Sequence, residues 1–206
     1  MTIQTAGGPV FDSGEAAPLR RHGGLRRFGR VAGLAVVLAI LAVIFGACGG
    51  GPGGTSGGKV DLAPNFSFTL FQGEDKLGAK EMDVAQLQGK PVVLNFWAGL
   101  CPPCRAEMPD LQLFYEEFKD RVTLVGIDLG QFTGLGSTSD AVSLLQELDV
   151  TYPAGFTEDV SVIPKYKVLG MPTTVFIDAD GAVFKTWTGV LTRGVLEEQA
   201  NAMLSR

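Results

Sequence analysis

Leu94-Asn95-Phe96-Trp97-Ala98-Gly99-Leu100-Cys101-Pro102-Pro103-Cys104-Arg105-Ala106-Glu107-Met108-Pro109 is the stretch that decides how this chain is read. Residues 92–96 are an apolar run headed by two β-branched valines, which predicts a buried strand. A small-residue turn follows, and then two cysteines three positions apart. Beyond them Leu111, Phe114, Tyr115 and Phe118 recur at the spacing of one helical face. The cysteines therefore stand where a strand hands over to a helix.

That location bears on their chemistry. A helix N-terminus carries unpaired N–H groups and the positive end of the macrodipole, and both favour an anion. A free thiol has a pKa of about 8.5, and a Cys-X-X-Cys thiolate at a helix start falls to about 7. Cys101 is thus the candidate nucleophile, and Cys104, one turn on, is placed to attack a mixed disulfide formed there. Pro102 and Pro103 suit the first helical turn, where no N–H is needed. They also remove two donors that would otherwise face the Cys101 sulfur, so the predicted depression of its pKa is smaller.

Two plainer readings are weaker on physical grounds. As a staple, so small a disulfide loop contributes only about 2 kcal/mol, against nearly 5 for a long one. A structural zinc needs four Cys or His ligands. The remaining cysteine is Cys48 and the single histidine is His22, both far upstream. No cofactor or metal site is expected.

The chain has 206 residues and a net charge of −5, with 17 Lys and Arg against 22 Asp and Glu. Five arginines lie within residues 1–30, so the remainder is markedly acidic and lacks the clustered basic surface that a nucleic-acid role requires. Residues 1–30 have no apolar periodicity and are expected to be a disordered basic cytoplasmic tail. Residues 31–48 form a hydrophobic signal or anchor segment, whose uninterrupted run 31–47 would be about 26 Å long as a helix against a hydrocarbon core of about 30 Å. A buried core helix is disfavoured by the polybasic tail and the glycine tract that flank it. Arginines precede the run and none closely follows, which places the N-terminus in the cytoplasm and the rest outside. Phe45-Gly46-Ala47-Cys48-Gly49 resembles a bacterial lipobox, which makes Cys48 a candidate for lipid attachment; lipoprotein and uncleaved anchor both stay open. Residues 49–59 are a Gly-rich linker whose ten-residue Gly/Ser tract spans roughly 16 to 19 Å.

Residues 60–206 carry the folded domain. Phe66, Phe68 and Leu70 alternate with polar residues as a strand does, residues 72–74 read as a turn, and residues 84–87 as one helical turn. After the cysteine helix come a strand at 122–127 that ends in Asp128 and a Gly-rich loop, a helix from Asp140 to Leu148, and a short strand at 152–156. A helix at 160–166 broken by Pro164 follows, then a hairpin, 173–177 and 183–187, turning at Asp180-Gly181. Thr192 is a candidate cap for a last helix. This order predicts an α/β fold with a central mixed β-sheet flanked by helices.

Over residues 63–204 these motifs resemble the thioredoxin superfamily, and within it the extracytoplasmic TlpA/ResA-like thiol-disulfide oxidoreductases. Asn-Phe-Trp-Ala before the cysteines, Cys-Pro-Pro-Cys-Arg-Ala-Glu-Met-Pro, and Gly170-Met171-Pro172-Thr173 carry the likeness. It implies a thioredoxin-like fold preceded by a membrane segment, a redox disulfide between Cys101 as attacking and Cys104 as resolving cysteine, and a helix kinked at Pro109. Residue statistics alone favour a trans Met171–Pro172 bond, since cis occurs at only about 5% of X-Pro bonds. The resemblance implies cis, facing the cysteines, where an extended substrate could pair with the backbone. It also groups Trp97, Pro102, Pro103, Met171 and Pro172 as substrate-binding.

Departures from cytoplasmic thioredoxin sharpen the expectation. Asn95 stands where that protein has a buried Asp, Leu124 where it has the Lys partner, and Leu100 where it has a second tryptophan. The proton acceptor near Cys104 must then be another group. Glu107 matches a functional Glu of ResA-like proteins and is the third catalytic candidate, although from the residues alone a solvated glutamate reads equally well. The resemblance implies a membrane-tethered reductant of disulfide-bonded protein partners, such as apocytochrome c or copper-site assembly proteins, fed by the membrane electron donor of a thiol-disulfide relay. Two alternatives remain. A peroxiredoxin-like peroxidase would want Thr three residues before its cysteine, where Ala98 stands. A Cu(I)-binding delivery module would use Cys101 and Cys104, in a domain without histidine.

Overall fold

The computed structural model describes residues 60–205. The basic tail, the apolar segment with Cys48 and the Gly-rich linker predicted above lie outside the described residues. Among the described residues no helix is long and apolar enough to cross a membrane.

Seven strands form one mixed sheet: β1 Ser67–Gln72, β2 Glu81–Asp83, β3 Val92–Trp97, β4 Thr123–Asp128, β5 Ala154–Phe156, β6 Thr173–Ile177 and β7 Val183–Thr188, in the order β2-β1-β5-β4-β3-β6-β7. The helices are α1 Glu74–Leu77, α2 Pro102–Phe118, α3 Gly130–Thr133, α4 Thr138–Glu147, α5 Val162–Lys165 and α6 Arg193–Leu204, with a 3₁₀ turn at Val84–Leu87. β3 is central because every one of its side chains is buried and it pairs on both edges. It runs parallel to β4, with Asn95 opposite Gly126 and Trp97 opposite Asp128. It runs antiparallel to β6, with Phe96 opposite Thr173.

Alternation along β3 sends its side chains to two different cores. Val93 and Trp97 join Met108, Leu111, Phe114, Leu144 and Leu196 on the face covered by α2, α4 and α6. Leu94 and Phe96 join Phe68, Ile127, Val162 and Tyr166 on the other. This is the sheet covered on both faces that the element order predicts.

Several local predictions need correction. α1, β2 and α3 were not legible as elements; α1 and α3 are single turns of four residues, and β2 is a three-residue edge strand with one buried side chain. α4 begins at Thr138 because Ser137 and Asp140 cap it reciprocally, Ser137 N–H donating to Asp140 Oδ2 at 2.8 Å. Pro164 does not break α5, since it lies in the first turn, where an N–H has no partner to lose. Thr192 occupies the N-cap of α6 without a side-chain bond. Asp110 of α2 accepts the Arg193 N–H instead, at 3.1 Å, tying the two helices together.

Gly126 is glycine for want of space. A Cβ there would lie 2.8 Å from Trp97 Nε1 and 3.3 Å from Tyr152 Cε2, both rigid buried rings. Gly126→Ala is expected to destabilise the domain by about 1 to 3 kcal/mol through overpacking. Denaturant unfolding followed by tryptophan fluorescence measures it, and an unchanged midpoint contradicts this account.

Candidate active site

The strand-to-helix handover places the cysteines at the C-terminal end of β3. Cys101 is the N-cap of α2 and Pro102 and Pro103 fill its first two positions, so the first backbone donor able to face the cap sulfur belongs to Cys104. That N–H lies 3.3 Å from Cys101 Sγ. One donor and the helix dipole therefore act on the sulfur. Cys101 and Cys104 are joined by a disulfide, and both are buried.

Pro102, Pro103 and Leu100 form the exposed rim, Leu100 being 58% accessible. A cavity of about 230 Å³, lined by Gly99, Leu100, Cys101, Pro102 and Arg105, opens beside Cys101. The Met171–Pro172 bond is cis. Thr173, next in the chain, pairs with Phe96 near the end of β3, so register puts Pro172 at the sheet end where the cysteine helix starts. Met171 is half-buried between the two cores. Trp97, grouped above with the substrate-binding residues, is fully buried. It supports the turn from beneath and offers no surface to a partner.

Glu107 is not the solvated glutamate that its place in the first turns of a helix allows. It is buried, one turn along α2 from Cys104. Asn95 Nδ2 donates to Glu107 Oε1 at 2.8 Å and to Thr174 Oγ1 at 3.0 Å, while Leu191 N–H donates to Glu107 Oε2 at 3.0 Å. Burial pushes the carboxyl up to about 7, the two donors opposing but not cancelling it. Asn95, at the place of thioredoxin's buried Asp, thus holds a carboxyl delivered from the facing helix.

Asp128 was not singled out from the sequence. It ends β4 beside Trp97, is fully buried, and is held at about 6 by burial, with Gly130 and Gly99 N–H groups opposing. The available signal was positional: a lone acid closing an apolar run at the carboxyl end of a parallel strand, where α/β sites form. Four buried polar atoms have no protein hydrogen-bond partner among the described residues: Asn95 Oδ1, Trp97 Nε1, Asp128 Oδ2 and Tyr152 Oη. The register and the Gly126 contacts gather their residues beneath the cysteines. Among the described residues no three or more His, Cys, Asp or Glu side chains could hold a metal together.

The buried carboxyl leaves a mark on stability. Between the ordinary glutamate value of 4.5 and about 7 the native state retains a proton that the unfolded chain releases, so stability falls as pH rises across this window. The shift corresponds to a fall on the order of 3 kcal/mol. Glu107→Gln is expected to flatten this part of the curve, as read from unfolding midpoints between pH 4 and 8; parallel curves for both proteins contradict the assignment.

Residues 60–186 match the AhpC/TSA family. The chain is 35% identical over 142 residues to the thiol-disulfide oxidoreductase ResA of Oceanobacillus iheyensis, covering 68% of this chain and 70% of that protein. Among solved structures, one proposed to be the thiol:disulfide interchange protein DsbE of Chlorobium tepidum superposes with a TM-score of 0.61 at 27% identity, over 71% of this chain and 98% of that one. A secreted disulfide oxidoreductase of Mycobacterium tuberculosis, homologous to DsbE of E. coli, matches with a TM-score of 0.54 at 28% identity, over 66% and 95%. The chain belongs to the AhpC/TSA family, with its thioredoxin-like fold, and is a thiol-disulfide oxidoreductase of the ResA type.

Proposed function

We propose that the domain works outside the cytoplasm, tethered by residues 31–48, and reduces disulfides of protein partners through Cys101 and Cys104. The observation that supports the exchange chemistry is the Cys101–Cys104 disulfide at the head of α2, with the buried Glu107 carboxyl one turn along from Cys104. In the reduced protein the Cys101 thiolate attacks one sulfur of the partner's disulfide, and the partner's other sulfur leaves as a thiolate and takes a proton. Glu107 in its ionised form, about half the population at neutral pH, accepts the Cys104 proton, and the Cys104 thiolate attacks Cys101 Sγ. The S–S bond to the partner breaks, the second partner thiolate leaves, and Cys101–Cys104 is oxidised. The second partner thiolate takes the proton held by Glu107 and the first takes from solvent the one that Cys101 released on ionising, so two electrons and two protons pass to the partner. Leu100 and the Pro102–Pro103 rim form the contact surface, and because the Pro172 carbonyl is taken by the Gly189 N–H at 2.8 Å, the half-buried Met171 before it is the backbone that would pair with an extended substrate.

The direction and place of this exchange rest on likeness and on sequence. The Oceanobacillus relative is named for thiol-disulfide oxidation and reduction, and the mycobacterial neighbour is a secreted protein. The run of apolar residues after five arginines supports export or anchoring. A membrane electron donor of a thiol-disulfide relay then regenerates the dithiol, and cytochrome c maturation is the process proposed. Cys48 is proposed as a lipid attachment point if the leader is cleaved.

Cys104→Ser in the full chain is expected to accumulate mixed disulfides through Cys101, which mass spectrometry identifies, and Cys101→Ser none. Adducts confined to Cys104 in the converse variant would reverse the order of attack. Glu107→Gln is expected to slow resolution at neutral pH by 10²-fold or more, in line with the usual worth of a positioned base, and to remove the inflection near pH 7 from the rate profile. Stopped-flow reduction of a model disulfide measures this, and an inflection that persists returns Glu107 to a structural role. Peroxide consumption by the wild type at rates rivalling disulfide exchange would favour the peroxidase alternative.

A further inference from the structure

Asp128 is a buried acid that the exchange sequence above does not use. It stands opposite Trp97 at the end of the β3–β4 pair, directly under the turn 98–100 that carries Cys101. Its Oδ1 accepts the Gly130 N–H at 3.1 Å, and the nearby Gly99 N–H favours its ionised form without closing a hydrogen bond. Its Oδ2 has no protein donor. Gly99 is pinned from the other side as well, since a Cβ there would lie 2.5 Å from the Ala141 N of α4, and the Leu100 N–H donates to Leu135 O at 2.8 Å. The turn before the nucleophile is therefore clamped between this carboxyl and the segment that joins β4 to α4.

The charges around Asp128 do little to offset its own. α4 presents Asp140, a like charge that disfavours ionisation and is itself engaged by Ser137. α2 presents the two cysteines and, further along, Glu107, while its cation Arg105 is turned to Glu147. The strand neighbours opposite, Trp97 and Phe156, carry no charge, and the α3 side offers Gly130 N–H and the neutral Gln131.

We propose that Asp128 is a positioning residue of the exchange reaction: its carboxyl holds the turn that presents Cys101, and its negative charge opposes that of the Cys101 thiolate. Both groups are buried at the same end of the β3–β4 pair, and neighbouring anions withdrawn from water titrate as a coupled pair, each raising the other's pKa. Burial already holds Asp128 near 6. The thiol is consequently less acidic where Asp128 is ionised than the helix terminus alone would make it. This adds a second cause, besides the two prolines, for a restrained nucleophile. The inference rests on the reading of Cys101 as the attacking sulfur.

Asp128→Asn keeps an oxygen for the Gly130 N–H and removes the charge. In the reduced full chain, the pH midpoint for iodoacetamide alkylation of Cys101 is expected to fall by half a unit or more, which is about threefold more thiolate below the midpoint. A profile that superimposes on the wild type overturns the proposal. Should the variant not fold, the unsubstituted chain supplies the reciprocal measurement. Iodoacetate leaves a fixed carboxylate on Cys101 and iodoacetamide a neutral amide, and the Asp128 carboxyl carbon, followed by NMR, is expected to titrate at least half a unit higher in the first adduct. One value for both adducts overturns the proposal equally. If instead Cys101 resists both reagents in the reduced wild type, it is the assignment of the attacking sulfur that fails.

Discussion

The 2.8 Å hydrogen bond from Asn95 to Glu107 is the constraint around which this site is assembled. A carboxyl removed from water must find donors or stay protonated. Here three separate parts of the fold converge on it: the middle of β3 through Asn95, the second turn of α2 through Glu107 itself, and the loop entering α6 through the Leu191 N–H. Because the same two elements, β3 and α2, also carry the turn with Cys101 and Cys104, the position of the acid relative to the cysteines is set by secondary structure rather than by loop conformation. The second donor bond of Asn95, to Thr174, extends the tie to β6, the strand that follows Pro172. The carboxyl, the disulfide and the cis proline thus share one rigid frame.

Most of that frame was legible because it is written in strong periodicities. The β3 run, the α2 face and the β6–β7 hairpin are long or sharply punctuated, and each appears within a residue or two of its predicted span. What escaped was either short or decided by tertiary partners. α1, β2 and α3 are too brief for a periodic pattern to be distinguished from a turn. The cap of α6 escaped because its acceptor, Asp110, lies 83 residues away in sequence and no local pattern announces it.

The site divides along the same line. Cys101 and Cys104 follow from spacing and from the strand-to-helix context. Glu107 was ambiguous, since a glutamate near a helix start is ordinarily solvated; only the face it takes, set by α2 packing on β3, buries it. Asp128 was overlooked for a related reason. An acid at the end of an apolar run reads as the place where a strand emerges into solvent, yet the segment 129–141 folds back over it and closes it off.

The way Gly99 lies against the backbone of Asp140 and Ala141 has a consequence for how the motif travels between proteins. The first turn of α4 acts as an outer wall for the redox turn, with no room for even a methyl group between them. Transplanting the sixteen-residue stretch from Leu94 to Pro109 into a leaner scaffold would therefore leave one side of the turn unsupported. The transferable unit is the pair: the stretch with its two sulfurs, and the neighbouring strap that keeps it in shape.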